Sequence, residues 1–434
     1  MLLVYTHKIT PRLTYTFKHI CKRILGLEVS FTSKIEDFIA HKSIKMSYAK
    51  QPLSNEIFVR SHALLFEQGL SDIDISVNDW DNTKGFFATG ERSNLPYDIF
   101  AASFYLLSRY EEYLPHVNDD YGRFLASESL AKKEGFLKQP IVDVWAYKLK
   151  SVLQERFPDF TFPIRKYNVD PIIDIPMAYK YSHKGLLRTI GGVLGDVFRF
   201  KFRQFYQRVS VLLGFQKDPF NTFNWLINRQ KSVDFKFTVF FLVGDYSTFD
   251  KNISTNKKRF VSLIKSVGDY CNIGLKASYF SLDNLELLKK EKQRLEQITN
   301  VNLEAIRNSH SKLNMPTTYR NVIELEIKKD YTMGYLSELG FRAGTCTPFL
   351  FYDLDYEVQT PLQIHPFHCM DFALLKHKSQ LDKKESLERF INSIKAVDGT
   401  FCPIFHNYSF SDDGTWLGFK VLFNTILKSV DETH

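Results

Sequence analysis

Cysteine is scarce in this sequence of 434 residues, and long apolar runs are missing. The five cysteines are scattered, odd in number and without CxxC spacing. This pattern argues against a disulfide framework or a structural zinc site and indicates a reducing compartment. No stretch approaches the roughly 18 apolar residues of a membrane-spanning helix. The first apolar residues are too few for a signal sequence and follow no charged region. We therefore expect a cytoplasmic protein.

Motifs for nucleic-acid binding are also lacking, although the net charge is +8. The sequence has no zinc finger, single-strand stacking motif or basic arm, and its basic residues are spread along the chain. We expect no nucleic-acid partner, and the positive surplus suits an anionic glycan or a membrane surface. An apolar fraction of 44% and an aromatic fraction of 15% are sufficient for a substantial core.

Hydrophobic periodicity predicts an α/β protein in two parts. The spacing predicts helices at 96–114 and 140–157 in the first part. Pro158 and Pro163 indicate a boundary near residue 160, which gives domains of 1–160 and 161–434. In the second part helices alternate with short apolar strands, and the run FKFTVFFLV at 235–243 is typical of a parallel strand buried on both faces. Ligands of such folds bind where the strands end.

Several segments resemble one protein family, in the expected order along the chain. The segment LPYDIFAASFYLLSRYEEYLPHVNDDYGRF at 95–124 is similar to an N-terminal domain of unknown function found in one bacterial branch of the polysaccharide deacetylases. The segments DYTMGYLSELGFRAGTCTPFLFYDL at 330–354 and FHNYSF at 405–410 resemble the nodulation-type deacetylase part of the same branch. The resemblance implies a small N-terminal α/β domain followed by a distorted (β/α) barrel.

The resemblance also implies a chemistry. Such hydrolases remove acetyl groups from sugar amides or esters of cell-surface oligo- or polysaccharides, and a zinc-like divalent metal held by one Asp and two His activates the water. On the matching motifs Asp174 is the implied aspartate ligand, while Ile172 stands where the family has its catalytic base. Lys276 and Ser309 stand where the family has its two histidines. Because an ammonium has no lone pair for a cation, we expect the metal to bind weakly or not at all.

Three other arrangements stay open at these positions. His310 follows Ser309 and becomes a metal ligand if a loop turns its ring inward. Asp170 has the strand parity of Asp174 and is a candidate substitute base. Lys276 pairs with Asp174, faces solvent, or stabilises an oxyanion of the substrate directly.

Other residues that the resemblance implies for catalysis are retained. Arg342 matches the arginine that orients the catalytic carboxylate in the family. With no base at residue 172, its partner is expected to be Asp174, Asp371 or an acidic ligand. Asp371 and His406 match the later motifs, in which the histidine donates a proton to the leaving group.

Aromatic residues near these motifs are candidates for a sugar-binding surface. The candidates are Tyr279, Phe349, Tyr352, Tyr408 and Trp416, with Lys276 as a polar contact. Aromatic faces stack on sugar rings, but aromatic side chains also supply much of the buried area of a core. Core packing is an equal alternative for Phe349, Tyr352, Tyr408 and Trp416.

Residues 188–215 form a basic amphipathic segment with apolar residues at helical spacing. Such a segment either contacts a membrane surface or packs its apolar side on the barrel with its basic side in water. The second arrangement is the more ordinary one.

Two functions therefore stay open. The first is an active metal-dependent deacetylase that uses Asp174, His310 and His406. The second is a catalytically silent relative that binds a glycan or a partner enzyme, which the residues at 172, 276 and 309 favour. The sequence does not indicate the sugar or the oligomeric state.

Overall fold

The first part of the chain contains a small parallel sheet and a separate hairpin. The computed structural model describes residues 1–430. The strands of this part are β1 (Leu2–Tyr5), β2 (Val29–Thr32), β3 (Lys45–Ala49), β4 (Ile57–Arg60), β5 (Asn78–Trp80) and β6 (Thr83–Gly85). The sheet has the order β2-β1-β3-β4, with every neighbouring pair parallel, and β5 pairs with β6 in the hairpin.

Three helices in this part begin after a capping residue, Thr10, Asp98 or Ser129, whose side chain accepts from a free amide of the first turn. The helices are α1 (Pro11–Phe17), a π-helical continuation (Lys18–Ile24), α2 (Ile35–Ala40), α3 (Ile99–Leu107), α4 (Leu130–Lys133) and α5 (Ile141–Arg156). Asp98 caps α3 by accepting from the amides of Phe100 and Ala101. The helix predicted at 96–114 ends at Leu107, because Arg109 adopts a left-handed φ of 54°. The helix predicted at 140–157 is confirmed as α5.

The second part is built on a larger, mostly parallel sheet. Its strands are β7 (Asn168–Val169), β8 (Ile172–Ile175), β9 (Thr238–Leu242), β10 (Asn272–Ala277), β11 (Ala305–Asn308), β12 (Lys329–Asp330), β13 (Phe349–Asp353), β14 (Val358–Ile364), β15 (Cys369–Met370), β16 (Thr400–Phe401) and β17 (Pro403–His406). The strand order is β13-β14-β12-β11-β10-β9-β8-β17-β15, and β16 pairs separately with β7. The pair β13–β14 is antiparallel and the other neighbouring pairs are parallel.

Helices separate most of these strands along the chain. They are α6 (Leu186–Phe198), α7 (Phe202–Leu212), α8 (Phe223–Gln230), α9 (Lys258–Gly268), α10 (Leu285–Thr299), α11 (Thr317–Glu324), α12 (Asp371–Leu374), α13 (Gln380–Lys395) and α14 (Phe419–Lys428). Short 3₁₀ turns lie at Ala63–Leu65, Tyr110–Glu112, Ala126–Glu128, Phe280–Asp283, Ser309–Ser311, Asn407–Phe410 and Gly414–Trp416. The predicted mixed α/β class with a parallel sheet is confirmed. Within residues 1–430, no helix combines the length and apolarity needed to cross a bilayer.

The larger sheet curls strongly toward one face. Asp174 on β8 and Arg307 on β11 form a hydrogen bond of 2.8 Å, although β9 and β10 lie between their strands. Strands three positions apart in a flat sheet would be roughly 14 Å apart, so the contact requires curvature. A small apolar cluster lies separately from the main core and consists of Ile172, Phe240, Ala305, Tyr331, Phe367, Met370, Cys402 and Ile404. The strand order ends at β13 and β15, and closure into a barrel stays a prediction.

Buried polar contacts join the two parts of the chain. Arg342 donates from Nε and Nη2 to the carboxylate of Glu112, at 2.8 and 2.7 Å. Asp143 accepts from the hydroxyl of Thr345 at 2.6 Å and from the amide of Cys346 at 3.0 Å. The division at residue 160 stays a prediction.

The helices α6 and α7 differ from the ordinary expectation for an amphipathic segment. Their buried or half-buried residues include Asp196, Gln207 and Arg208, whereas Leu187 and Phe198 are exposed. The expectation that the apolar side packs against the sheet is therefore wrong for this segment.

Candidate functional site

A buried ion cluster lies at the carboxyl ends of β8, β10 and β11. The Oδ2 atom of Asp174 accepts from Nζ of Lys276 and from Nε of Arg307, each at 2.8 Å. Arg307 also donates to the backbone oxygen of Tyr331 at 2.8 Å and to Oγ of Ser311 at 2.9 Å. Among residues 1–430, Oδ1 of Asp174 has no hydrogen-bond partner. One carboxylate is therefore held between two cations through Oδ2, and its Oδ1 atom is buried without a partner among the described residues.

The charges within the cluster shift the pKa values of its own members. Burial alone would raise the pKa of Asp174, but the charges of Arg307 and Lys276 outweigh it and hold that pKa well below its usual range. Burial lowers the pKa of Lys276, and the Asp174 carboxylate opposes this shift. A carboxylate held in this way stays ionised at neutral pH.

His406 and Asp371 form a dyad at the end of β17 beside this cluster. The Nδ1 atom of His406 lies 3.0 Å from both carboxylate oxygens of Asp371, and its backbone amide donates to Oδ2 of the same residue at 2.8 Å. The carboxylate thus fixes the ring, so that Nε2 points toward Asp174, at 3.7 Å from Oδ2. The structure brings together the sequence-predicted residues Asp174, Lys276, Asp371 and His406. Lys276 pairs with Asp174, which is one of the arrangements left open for it.

Ser309 belongs to a neighbouring polar group centred on Asp250. The hydroxyl of Ser309 donates to Oδ1 of Asp250 at 3.2 Å, and the amide of Tyr279 donates to Oδ2 at 2.8 Å. The ring of Tyr279 stacks on Phe249, with centroids 4.0 Å apart. Ser309 and Tyr279 are therefore bound to Asp250.

His310 turns toward an aromatic surface. Its backbone is left-handed, with a φ of 57°, in the 3₁₀ turn that follows β11. Its ring stacks on Tyr121 at a centroid distance of 5.0 Å, and burial together with the charge of Lys276 lowers its pKa. Its role as a metal ligand stays a prediction that this geometry does not support.

The residues present do not fit the metal that the sequence resemblance implies. Within the described part of the chain, no three His, Cys, Asp or Glu side chains are grouped so that they could hold a metal ion. The Asp174 carboxylate already accepts from Lys276 and Arg307 through Oδ2. A divalent ion would have to displace or approach both positive groups, which is electrostatically unfavourable.

Comparison with known proteins assigns the chain to no enzyme family. Residues 2–158 match the model of DUF7033, a family of unknown function. No curated protein matches the chain.

Solved structures give weak overall likenesses. A Mycobacterium smegmatis protein described as a polysaccharide deacetylase shares 12% identity and a TM-score of 0.39, over 63% of this chain and 92% of its own. A CE4 family pseudoenzyme from Bacillus anthracis shares 11% identity and a TM-score of 0.31, over 61% of each chain. A 4-alpha-glucanotransferase from Thermococcus litoralis shares 12% identity and a TM-score of 0.36, over 61% of this chain and 38% of its own. At these values the likenesses decide nothing about function.

Arg342 does not have the partner that the sequence led us to expect. Its guanidinium forms a paired contact with Glu112, which also accepts from Nε of Arg109 at 2.7 Å. The expected pairing with Asp174 or Asp371 is therefore wrong. Arg342 joins the two parts of the chain, and its implied catalytic role stays a prediction.

The aromatic candidates are divided between core and surface. Phe349 and Tyr352 are buried, and Tyr352 packs between Tyr15 and Phe104, so core packing accounts for them. Trp416 is half-buried.

Trp416 belongs to an aromatic rim beside His406. Trp416 contacts Tyr408 and Phe372 at centroid distances of 5.3 and 5.4 Å, and Tyr408 stacks on the His406 ring at 4.8 Å. Trp416, Tyr408 and Phe372 are the residues that we name the aromatic rim.

Sequence reasoning missed Arg307 and Asp250 as members of the site. Arg307 lies two residues before Ser309, but nothing in the sequence showed that its side chain would reach Asp174 across two strands. Asp250 follows β9 by a few residues, which is a position where site residues occur in such folds, and this was the available signal. Asp170 lies at the other end of β8, with Oδ2 3.3 Å from Nδ1 of His365. That position does not support its use as a substitute base.

Proposed function

We propose that this protein binds an acetylated cell-surface glycan without hydrolysing it, as a catalytically silent relative of the polysaccharide deacetylases. The observation that carries the proposal is the pairing of Asp174 with Lys276 and Arg307. Two fixed cations supply internally the positive charge that a metal supplies in the hydrolases, and neither can activate a water molecule. The family relationship itself rests on the sequence motifs.

Three features favour a glycan as the ligand. The Oδ1 atom of Asp174 is buried and has no hydrogen-bond partner among residues 1–430, so it would accept from a sugar hydroxyl once the surrounding side chains move aside. The His406 ring, held by Asp371, offers Nε2 as a second polar contact. The aromatic rim offers ring faces on which a pyranose can stack, with Phe372 38% exposed.

The alternative is a metal-dependent deacetylase, and the His406–Asp371 dyad favours it. A histidine fixed by a carboxylate through Nδ1 is suited to protonate a leaving group through Nε2. That function also requires a base for a nucleophilic water, and the two carboxylates beside His406 are already engaged: Asp371 holds the histidine ring, and Asp174 pairs with Lys276 and Arg307.

One experiment separates the two functions. We expect an acetylated chitooligosaccharide to bind the purified protein in a calorimeter, and the Trp416→Ala variant to bind about tenfold more weakly because it removes part of the rim. The control is Tyr356→Ala, since Tyr356 is exposed on the turn between β13 and β14. Its affinity should equal that of the wild type.

Acetate release is measured on the same oligosaccharide with added zinc, cobalt or manganese. We expect none above background, and close to no bound metal after dialysis. Metal-stimulated release that His406→Ala abolishes would establish the deacetylase instead. Absence of both binding and release would refute glycan recognition.

A further inference from the structure

The segment 186–215 exposes an unusual amount of apolar surface. Leu187 is 86% exposed, Phe198 and Phe200 are each 78% exposed, and Phe215 is 79% exposed. Elsewhere in residues 1–430, large exposed apolar side chains are scattered singly or in small groups. Large exposed apolar side chains concentrated in one segment indicate an interaction site on a folded protein.

Polar contacts join the helices of this segment to each other and to the protein. Arg208 of α7 forms an ion pair of 2.7 Å with Asp196 of α6, and the guanidinium packs where Gly192 has no side chain. Arg188 donates to the backbone oxygen of Asn252 at 3.1 Å. Polar contacts therefore join the two helices to each other and to the protein. Val211 is buried, but most other large apolar side chains of the segment stay uncovered.

The positive charge of the segment indicates which kind of surface it binds. Between residues 184 and 217 there are seven basic residues and one acidic residue, Asp196, which is paired with Arg208. Arg199, Lys201 and Arg203 lie in the exposed connection and first turn between α6 and α7. Phe198, Phe200 and Phe202 alternate with these three cations. Exposed aromatic and aliphatic residues mixed with cations match the boundary between acyl chains and anionic headgroups.

The segment is fixed beside the candidate site. The chain that follows α7 is joined to the chain that precedes α6 by the carboxylate of Asp218. This carboxylate accepts from the amides of Lys180, Tyr181 and Ser182 at 2.8, 2.9 and 2.9 Å. The two ends of the segment also meet at Asn407, whose Nδ2 donates to the backbone oxygens of Met177 and Phe220.

Asn407 directly follows His406 of the site. On α7, Gln207 also accepts from Lys180, whose ammonium pairs with Asp413 near the aromatic rim. The exposed apolar surface and the rim therefore lie at the same edge of the sheet.

We propose that residues 186–215 bind this edge of the protein to the surface of an anionic lipid bilayer. The apolar side chains enter the interface, and Arg199, Lys201 and Arg203 contact the lipid headgroups. Binding by this segment brings the edge of the sheet that carries His406 close to the membrane. Lipid-linked or membrane-attached glycans are accessible there. Membrane contact does not depend on the function proposed for the site, because it requires no glycan.

Co-sedimentation of the full chain with vesicles tests the proposal. The probes are vesicles of equal parts phosphatidylglycerol and phosphatidylcholine, compared with phosphatidylcholine alone. We expect the protein to pellet with the anionic vesicles and to remain largely in solution with the neutral ones. The variant Phe198→Glu/Phe215→Glu should lower the partition coefficient at least about tenfold, because it replaces apolar contacts by charges that anionic lipid repels.

Matched controls keep the result specific. Ile164→Glu/Val421→Glu adds the same two charges at exposed apolar positions outside the segment and should pellet as the wild type does. The variant Arg199→Gln/Lys201→Gln/Arg203→Gln should lose about tenfold or more in partitioning. Lys289→Gln/Lys290→Gln/Lys378→Gln, which removes three exposed cations elsewhere, should lose less. Circular dichroism checks that each variant is folded.

Three outcomes would overturn the proposal. The wild type could fail to pellet with anionic vesicles, or the Phe198→Glu/Phe215→Glu variant could pellet equally well. Sedimentation velocity could also show a dimer that this variant converts to a monomer. The exposed apolar residues of 186–215 would then bind a second copy of the protein and not a membrane. Glycan binding, measured separately in solution, tests the site independently of all three.

Discussion

At the scale of single residues, the site depends on a balance of three buried charges. Asp174 stays ionised because two cations donate to it. Burial lowers the pKa of Lys276, and the adjacent carboxylate opposes this shift. Removing one member of such a group leaves an uncompensated charge away from water, which costs several kcal/mol. The group therefore carries stability as well as the electrostatics of the site.

We expect Asp174→Asn to destabilise the protein by about 3–5 kcal/mol, because it leaves two buried cations without their carboxylate. The double variant Asp174→Asn/Lys276→Met should recover part of this loss, since it removes one of the cations. Urea unfolding at neutral pH measures both. The control Asp79→Asn breaks an exposed pair with Lys84 and should change stability by less than about 1 kcal/mol. An Asp174→Asn variant as stable as this control would contradict the charge balance.

At the scale of elements, the strands that carry the site pack closely inside the curled sheet. Gly274 of β10 lies against the ring of Phe240 on β9, and a methyl group at residue 274 would overlap that ring. Glycine is required there by the close approach of the ring. The position adjoins the strand segment that carries Lys276.

Gly274→Ala should therefore destabilise the protein by about 1–3 kcal/mol, because the Phe240 ring or the strand must shift. The matched control is Gly195→Ala in α6, where nothing lies within contact distance of an added methyl group. That substitution should be neutral or stabilising by up to about 1 kcal/mol, because alanine favours helix. Thermal unfolding of both variants checks the prediction. Equal unfolding midpoints would show that β10 accommodates the added methyl group without a loss of stability.

At the scale of the whole molecule, one buried carboxylate joins the two parts of the chain. Glu112 accepts from Arg342 in the second part and from Arg109 in the first. Burial would raise its pKa, but the charges of Arg342 and Arg109 outweigh burial and lower the pKa to about 2. The folded pKa thus lies below the usual value of roughly 4.3 for an unfolded glutamate.

This difference makes the contribution of Glu112 dependent on pH. It is fully present above the unfolded pKa, near pH 5 and higher, and is lost as pH falls through roughly 4 toward 2. We expect Glu112→Gln to cost about 3–5 kcal/mol at pH 7, because two buried guanidinium groups lose their anion. The difference from wild type should shrink as pH is lowered from 5 toward 3, as measured by urea unfolding at each pH.

Glu338→Gln is the control for this prediction. Glu338 also joins the two parts, through Lys132, but its ion pairs are substantially exposed to solvent. Its loss should cost less than about 1 kcal/mol, since exposed pairs contribute little. If Glu112→Gln lowers the free energy of unfolding as little as Glu338→Gln does, the ion pair of Glu112 with Arg342 is not important for holding the two parts of the chain together.

Local pattern was sufficient to predict much of the fold. The run FKFTVFFLV contains the fully buried strand β9, and the spacing at 140–157 gave α5. Residue types also limited the chemistry, because lysine and serine at 276 and 309 cannot ligate a metal as imidazoles do. These results depend on neighbours in the chain or on the chemistry of single side chains, and a sequence contains both.

Tertiary structure alone decided which groups meet. Lys276 and Arg307 reach Asp174 from more than a hundred residues away, and Arg342 pairs with Glu112 instead of an acid of the site. It also decided which side of 186–215 is covered. Helical spacing divides a segment into a polar and an apolar face, but it does not state which face meets the protein. That choice depends on the surface that the rest of the chain presents, which here hydrogen-bonds Arg188 and Gln207 and leaves most of the large apolar side chains exposed.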